Sequence, residues 1–403
     1  MALCEKSILV LTLALIHCIN MTSSGTTAPS LAASPIVFAR NLFRAINAES
    51  PMVNMVISPA AARSAMTLVF MAASGKSADE LRSVIILGAD SKEDIAKRNA
   101  DFWSKECVCS DHGVGLRLAT RLYVGDDQKL RPEFNMQAVE FFNAQADPLN
   151  FTNNIESMKE VNKWLEKQTF HTVRNLLTPV AFNPETSVIL VNSLYFRAKW
   201  SKRFSMQRTV TDDFWINSKQ RMEIPMMRQV GHFRYGESRK LRSKILQLPF
   251  DESDISMLII LPTDVNGLAD LESKLEYTDL NEVATKSLLH DVDIQMPKFQ
   301  IECDVDLKVP LQKMGVTRIF EPNRADLTGL FAKQSNQVIS EARHKIHLGF
   351  NENGCEADME LKPGPTIPIV PDAERKIFRA NRPFIFAIRN NQTVYFVGHF
   401  IKP

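Results

Sequence analysis

The sequence predicts a single α+β domain, and three features carry that expectation. Amphipathic helical stripes occupy the chain up to Thr169, strand-like runs dominate from Val188 onward, and no internal repeat or long linker intervenes.

The elements follow in order. Phe38, Leu42, Phe43 and Ile46 form an apolar stripe at helical spacing, predicting a helix over Val37 to Ala48 that Pro51 stops. Met55-Val-Ile57 reads as a short buried strand. Ser58-Pro59 then opens a second helix through Met71, with Ser58 as N-cap, Pro59 at the first helical position and Gly75 closing it. Val161, Trp164 and Leu165 mark another helix over Ile155 to Thr169. The nearly continuous apolar run from Val188 to Phe196 predicts a strand buried on both faces. Ile245 to Pro249 and Ser256 to Leu261 predict a hairpin. Asp291 to Ile301 and Gln337 to Phe350 are further strands, and Phe384 to Ile388 pairs with Val394 to Phe400 across Asn390 and Asn391.

Composition narrows the class without naming a function. The 403 residues are 45% hydrophobic and 23% charged, the balance of a soluble globular protein. A formal charge of +2 gives no global field to recruit nucleic acid or an anionic membrane. At the amino terminus, Lys6 precedes the apolar run Ile8 to Ile16, too short to span a bilayer but the length of a signal-peptide core, although Glu5 weakens the positive flank. Small residues at Thr22, Ser23, Ser24 and Gly25 place cleavage there. The expected division is a signal peptide over 1–24 and a secreted, extracellular domain over 25–403.

Of six cysteines, Cys107, Cys109, Cys303 and Cys355 remain after such processing, too few for a disulfide scaffold and without an assignable pairing. Asn150-Phe-Thr and Asn391-Gln-Thr are glycosylation sequons in a secreted chain. The segment from Asn351 to Pro383 has two characters. Cys355, Ala357, Met359 and Leu361 alternate with Glu356, Asp358, Glu360 and Lys362 at strand period. Four prolines and a glycine between Pro363 and Pro371 then remove ladder donors and demand a loop.

Spread along the mature chain, residues resemble the serpin family: Phe38-Ala39, Leu42-Phe43, Asn54 and Ser58-Pro59, then Trp164-Leu-Glu, Val191-Asn192 and Tyr195 through Trp200. Ile224-Pro-Met-Met227 and Ser256 through Pro262 are similar to family signatures, as are His344-Lys345, Asn351-Glu-Asn-Gly354, Asn381-Arg-Pro-Phe384 and Phe396-Val-Gly398. The resemblance implies one domain with three β-sheets, about nine helices and an exposed reactive loop at about 352–378. In inhibitory members a serine protease cleaves the loop, which enters the largest sheet and drags the acylated protease with it. The resemblance therefore implies an inhibitor, not an enzyme, monomeric, needing no cofactor and no metal.

Three residue groups carry over by position. Ser58, Asn192 and His344 match a polar cluster beneath the sheet that opens, where hydroxyl, amide and imidazole can satisfy one another. Ala61 replaces a second family serine, so the network should be thinner. Trp200, Lys298 and Glu352 match the top of that sheet, where a Lys–Glu pair could hold the hinge. Glu352, Gly354, Glu356 and Ala357 resemble the inhibitory hinge. Cys355 stands where Thr or Ser is usual, and Asp358, Met359 and Glu360 replace small residues.

Insertion is therefore patterned but burdened. The inward set Cys355, Ala357, Met359 and Leu361 is apolar, but Met359 is bulky, and overpacking costs about 1–3 kcal/mol. Pro363 and Pro365 would each delete a ladder bond inside a central strand, at about 1–3 kcal/mol. A non-inhibitory binding or carrier module, or a simple protease substrate, is the alternative. Counting from Glu352 places the scissile residue at Pro368; counting back from Pro383 gives Ile369. Ile369–Val370 is the expected reactive bond, suiting an elastase- or chymotrypsin-like protease over a trypsin-like one, because Lys362 lies early and Arg375 and Lys376 late.

Other motifs have plainer readings. Gly75-Lys-Ser77 lacks the earlier glycine of a phosphate loop, since Phe70 stands there. Cys107-Val-Cys109-Ser-Asp-His112 has no second pair to complete a metal site. Arg239, Lys240, Arg242 and Lys244 suggest a weak glycosaminoglycan contact, against the plainer reading of a solvated turn. Ser58 and His344 lack a Gly-x-Ser-x-Gly elbow, so Ser58 caps a helix rather than attacking a substrate.

Overall fold

In a computed structural model, residues 35–49, 51–107, 114–182, 185–333, 336–356 and 374–403 are described. The helical first half comprises α1 (Pro35–Asn47), β1 (Met55–Ile57), α2 (Pro59–Ala72), α3 (Gly75–Val84), α4 (Lys92–Glu106), β2 (Gly115–Gly125), α5 (Pro132–Phe142), β3 (Ala146–Leu149) and α6 (Asn154–Gln168). Strands β4 (Val188–Lys199), β5 (Val210–Asn217), β6 (Gln220–Ser238), β7 (Ser243–Pro249) and β8 (Ser256–Pro262) follow. After α7 (Leu268–Leu275) and α8 (Leu280–Thr285) come β9 (Leu288–Pro297), β10 (Phe299–Asp306), α9 (Lys308–Met314) and β11 (Ile339–Phe350). The chain closes with β12 (Gly354–Cys355), β13 (Lys376–Arg379), β14 (Phe384–Arg389) and β15 (Val394–Phe400).

Local chemistry explains the key elements. The Ser58 hydroxyl accepts the Ala61 N–H while Pro59 supplies a preset φ, so α2 starts where expected. Almost every α2 side chain is buried, which makes it a core helix rather than a surface one. Two expectations need correction. Gly75 does not close a helix but opens α3: its φ of +50° turns the chain directly after Ser74 at the N-cap. The single strand expected over Asp291 to Ile301 is two strands in different sheets. β9 ends at Pro297, where Lys298 still donates its N–H to Pro225 of the neighbouring β6, and β10 pairs β11 in the other sheet.

The described strands form two hydrogen-bonded networks. A six-stranded sheet runs β10-β11-β12-β4-β2-β3. The other nine strands run β1-β15-β14-β8-β7-β6-β9-β13, with β5 added to β6. The 19-residue β6 pairs β5 over residues 220–226, β9 over 226–235 and β7 over 234–238, so one strand serves three neighbours in turn. Phe299, Phe350, Phe384, Phe386 and Phe400 pack as an aromatic core between the networks. On the opposite face of the six-stranded sheet, Val161 and Leu165 of α6 cover Ile189 and Val191 of β4. That cover accounts for the run of apolar residues on both faces of β4.

Candidate functional site at the split between β4 and β11

β4 and β11 are paired in parallel only from Ile339 to His344 against Val188 to Asn192. Beyond this point Ser193 Oγ donates to the Lys345 carbonyl at 2.6 Å, and then the two strands part. Into the upper gap comes β12, antiparallel to both neighbours: Cys355 lies opposite Phe350 on one side and Ala198 on the other. A two-residue turn makes this possible. Asn351 and Gly354 exchange backbone hydrogen bonds at 2.9 and 3.3 Å, while Asn351 Oδ1 accepts the N–H groups of Asn353 and Gly354.

Gly354 is required by space. A Cβ there would lie 1.9 Å from the Ala198 carbonyl oxygen and 2.8 Å from Lys199 Cα, both backbone atoms. Cys355 is fully buried, and burial pushes its thiol well above the ordinary range, so it is an apolar filler rather than a nucleophile. Glu356 still donates its N–H to Gly349 at 2.9 Å, but its φ of +48° turns the chain out of strand geometry. The first two hinge residues are thus already seated in the sheet, and the third is half engaged.

Trp200, Lys298 and Glu352 come together at the top of the gap. Glu352 accepts from Thr209 Oγ1 at 2.7 Å and from Lys298 Nζ at 3.1 Å. Burial pushes the Glu352 carboxyl up, but these hydrogen bonds, together with a backbone one, outweigh it and hold the group below its usual range. The Trp200 backbone N–H donates to the Asn353 carbonyl and its indole Nε1 to the Asn351 carbonyl, each at 2.9 Å. Its ring stacks on Phe250 at 4.7 Å.

The lower end of the split sits on the second cluster. His344, fully buried, accepts the Ser58 backbone N–H at Nε2 (3.0 Å) and faces Asn192 Oδ1 with Nδ1 (2.7 Å). Because Nε2 accepts, the proton belongs on Nδ1, which donates to Asn192. Asn192 Nδ2 then donates to Thr120 Oγ1 at 2.9 Å, carrying the chain of bonds from α2 through β11 and β4 to β2. Ser58 contributes its backbone, since its hydroxyl serves the α2 cap.

Desolvation lowers the His344 pKa from 6.5 to about 3. Below pH 6.5 the unfolded chain therefore takes up a proton that the folded chain refuses, and stability falls as pH drops toward 3. The expected loss from this group is about 2 kcal/mol at pH 5. Denaturant unfolding between pH 7 and pH 5 checks it: His344→Gln should flatten that part of the slope, and an unchanged slope would contradict it.

Several expected site residues lie outside the described residues: Ala357 and Met359 of the hinge, the bond Ile369–Val370 and its alternative Pro368, and the signal peptide. Within the expected loop span of about 352–378, Gly354–Cys355 is a strand, and Lys376–Arg379 begins another at its end. Arg375 is tied to Asp291 at 2.7 Å and is a poor cleavage point. Asn150 and Asn391 are both exposed. The basic cluster is dispersed by its own contacts: Arg242 pairs with Asp264, and Lys244 Nζ donates to the Ile377 carbonyl. Among the described residues, no group of three or more His, Cys, Asp or Glu is placed to hold a metal. Thr120, Thr209 and Ser193 were missed by sequence reasoning, as a single threonine or serine in a strand carries no local signal.

Residues 33–403 match the family model for Serpin (serine protease inhibitor). The chain is 30% identical to Serine protease inhibitor 42Dd of Drosophila melanogaster over 366 residues, covering 91% of this chain and 95% of that one. It is 31% identical to Leukocyte elastase inhibitor A of Rattus norvegicus, with coverage of 93% and 99%. Among solved structures it is similar to Serpin48 of the insect Tenebrio molitor, with a TM-score of 0.84, 29% identity and coverage of 94% and 100%. The chain belongs to the serpin family. Its relatives are named as inhibitors of proteases, and the protein is not an enzyme.

Proposed function

We propose that this protein is a secreted, glycosylated inhibitor of an elastase- or chymotrypsin-like serine endopeptidase, cleaved at Ile369–Val370 and acting by loop insertion. The observation that carries this reading is β12. With Gly354 and Cys355 already between β4 and β11, insertion needs no new opening event at its start, only extension of an existing strand. Extension is a race: if the strand grows before the acyl-enzyme hydrolyses, the protease is trapped. The resemblance to a leukocyte elastase inhibitor and the apolar Pro368-Ile369-Val370 sequence favour an elastase-like target.

The test is incubation with a panel of elastase-, chymotrypsin- and trypsin-like proteases. The expected result is an SDS-resistant adduct with an elastase-like member and a released peptide beginning at Val370. Cleavage only after Arg375 would discard the Ile369 assignment. Sequencing the secreted product should find its amino terminus near Gly25.

A cleft favours the carrier alternative. Ile36, Phe43, Leu275, Leu280, Ile385 and Val397 help line an apolar cavity of about 270 Å³ between α1, α7 and the β14–β15 pair. The two readings separate on the adduct: a carrier forms none with any member of the panel.

A further inference from the structure

The face formed by β14, β8, β7 and β6 is covered by α8 over only part of its area, where Ala284 shares an apolar cluster with Ile245, Leu258 and Ile385. Beside this contact a cavity of about 490 Å³ stays open between the strands, α8 and the start of β9, a size typical of small-molecule sites. Strand register assembles its wall. Arg389 of β14 lies opposite Ser256 of β8, and Ser256 opposite Pro249 of β7. Arg234 of β6 lies opposite Gln247 of β7 on one side and Leu289 of β9 on the other. All of these residues line the cavity.

The charge of that wall is one-sided. Arg389 has only 2% of its surface exposed, yet its guanidinium lacks an anion. Its Nη2 donates to Asn281 Oδ1 and lies 3.4 Å from Asn391 Oδ1. Nη1 makes no hydrogen bond among the described residues, and Nε is buried without a partner. Burial lowers the Arg389 pKa. Asp279 and Asp254 attract the charge, but among the described residues no carboxylate forms an ion pair with it. A desolvated cation in this state costs free energy that a bound negative group would offset. Arg234 donates from Nη1 to the Ser287 carbonyl at 3.2 Å and likewise has no carboxylate partner among the described residues. His232 stands exposed two residues away, on the same face of β6. Two guanidiniums and an imidazole thus line the cavity against a single carboxylate, Asp254, which already accepts from Asn390 Nδ2 at 3.3 Å.

We propose that this cavity binds a compact phosphate or sulfate group, held by Arg389 at its base and Arg234 at its mouth. The planar fork of a guanidinium matches two oxygens of such a group, and the bound charge gives Arg389 the partner it lacks. The space beyond one oxyanion, bounded by Pro249, Ile255 and Leu289, takes the organic body of a small ester. Neither arginine belongs to the split between β4 and β11, so the site stands apart from any action on a protease.

The test is calorimetric titration of the full-length protein, produced without N-glycans because Asn391 lies at the cavity rim. The probes, at matched ionic strength in chloride, are inorganic phosphate, inorganic sulfate, glucose 6-phosphate and glucose. Saturable binding of the charged probes is expected with Kd below about 1 mM, and none of glucose. Tighter binding of the sugar phosphate would identify an ester as the ligand class, and equal affinity the free ion; both support the site. Arg234→Gln, a change at an exposed side chain, should weaken binding about tenfold, the scale of one charge-assisted hydrogen bond. Arg389→Lys keeps the buried charge, loses the fork and should weaken binding by a similar factor. Should that variant misfold, Arg234→Gln still decides. No saturable binding of any charged probe, or binding that Arg234→Gln leaves unchanged, would overturn the site.

Discussion

Replacing Gly354 with valine should eject the hinge from the sheet. Even a single Cβ would sit 1.9 Å from the Ala198 carbonyl oxygen, and neither that backbone atom nor Lys199 Cα can move without breaking the β4 ladder. The uncleaved variant loses the burial of Cys355 and the β12 ladder bonds, a loss of about 1–3 kcal/mol. Cys355, whose thiol is inert when seated, becomes open to alkylation at neutral pH. After cleavage the same clash blocks the first rung of the inserted strand, so inhibition should fall by more than about tenfold. Thiol labelling followed by peptide mapping reads the first effect, and the adduct yield reads the second. Protection of Cys355 equal to that in the wild type would show that Gly354 is not the entry point.

The second large effect is expected at His344. Its replacement by alanine leaves the Ser58 N–H and the Asn192 amide oxygen buried without partners and opens a cavity where β4, β11 and α2 meet. Two unpaired groups and a void together cost on the order of 3–5 kcal/mol. In a chain of this size that lowers the melting temperature by on the order of 4–6 °C. His344→Gln should recover part of it, because an amide can restore one of the two bonds. A thermal scan of both variants checks the order; an alanine variant as stable as the wild type would mean that the cluster does not tie the sheet together.

Sequence reasoning reached the elements whose signals are local. The Ser58-Pro59 start, the two-faced apolar run of β4 and the β14–β15 hairpin are written in spacing and cap chemistry. It failed where long-range partners decide. Gly75 resembles a helix end until Ser74 is seen hydrogen-bonded to Asp326, which sets a new helix start. Asp291 to Ile301 looks like one strand because only its long-range partners, β6 for β9 and β11 for β10, reveal the change of sheet. The site divides in the same way. His344, Asn192, Trp200, Lys298 and Glu352 were named by position from the family resemblance, not from any local spacing signal. Thr120 and Thr209, which complete the two clusters, sit in plain strand or turn sequence and are recruited across 72 and 143 residues.

The prolines at 363 and 365 weigh against full insertion, and the seated hinge weighs for it. Complete insertion, as proposed, would extend β12 as a central strand between β4 and β11. The direct measurement is thermal unfolding of the intact protein and of the same protein nicked at Ile369–Val370. Insertion predicts a rise of more than about 10 °C on cleavage, the scale of several kcal/mol in a chain of this size. A nicked protein that melts at or below the intact one would contradict insertion and leave a carrier or a substrate.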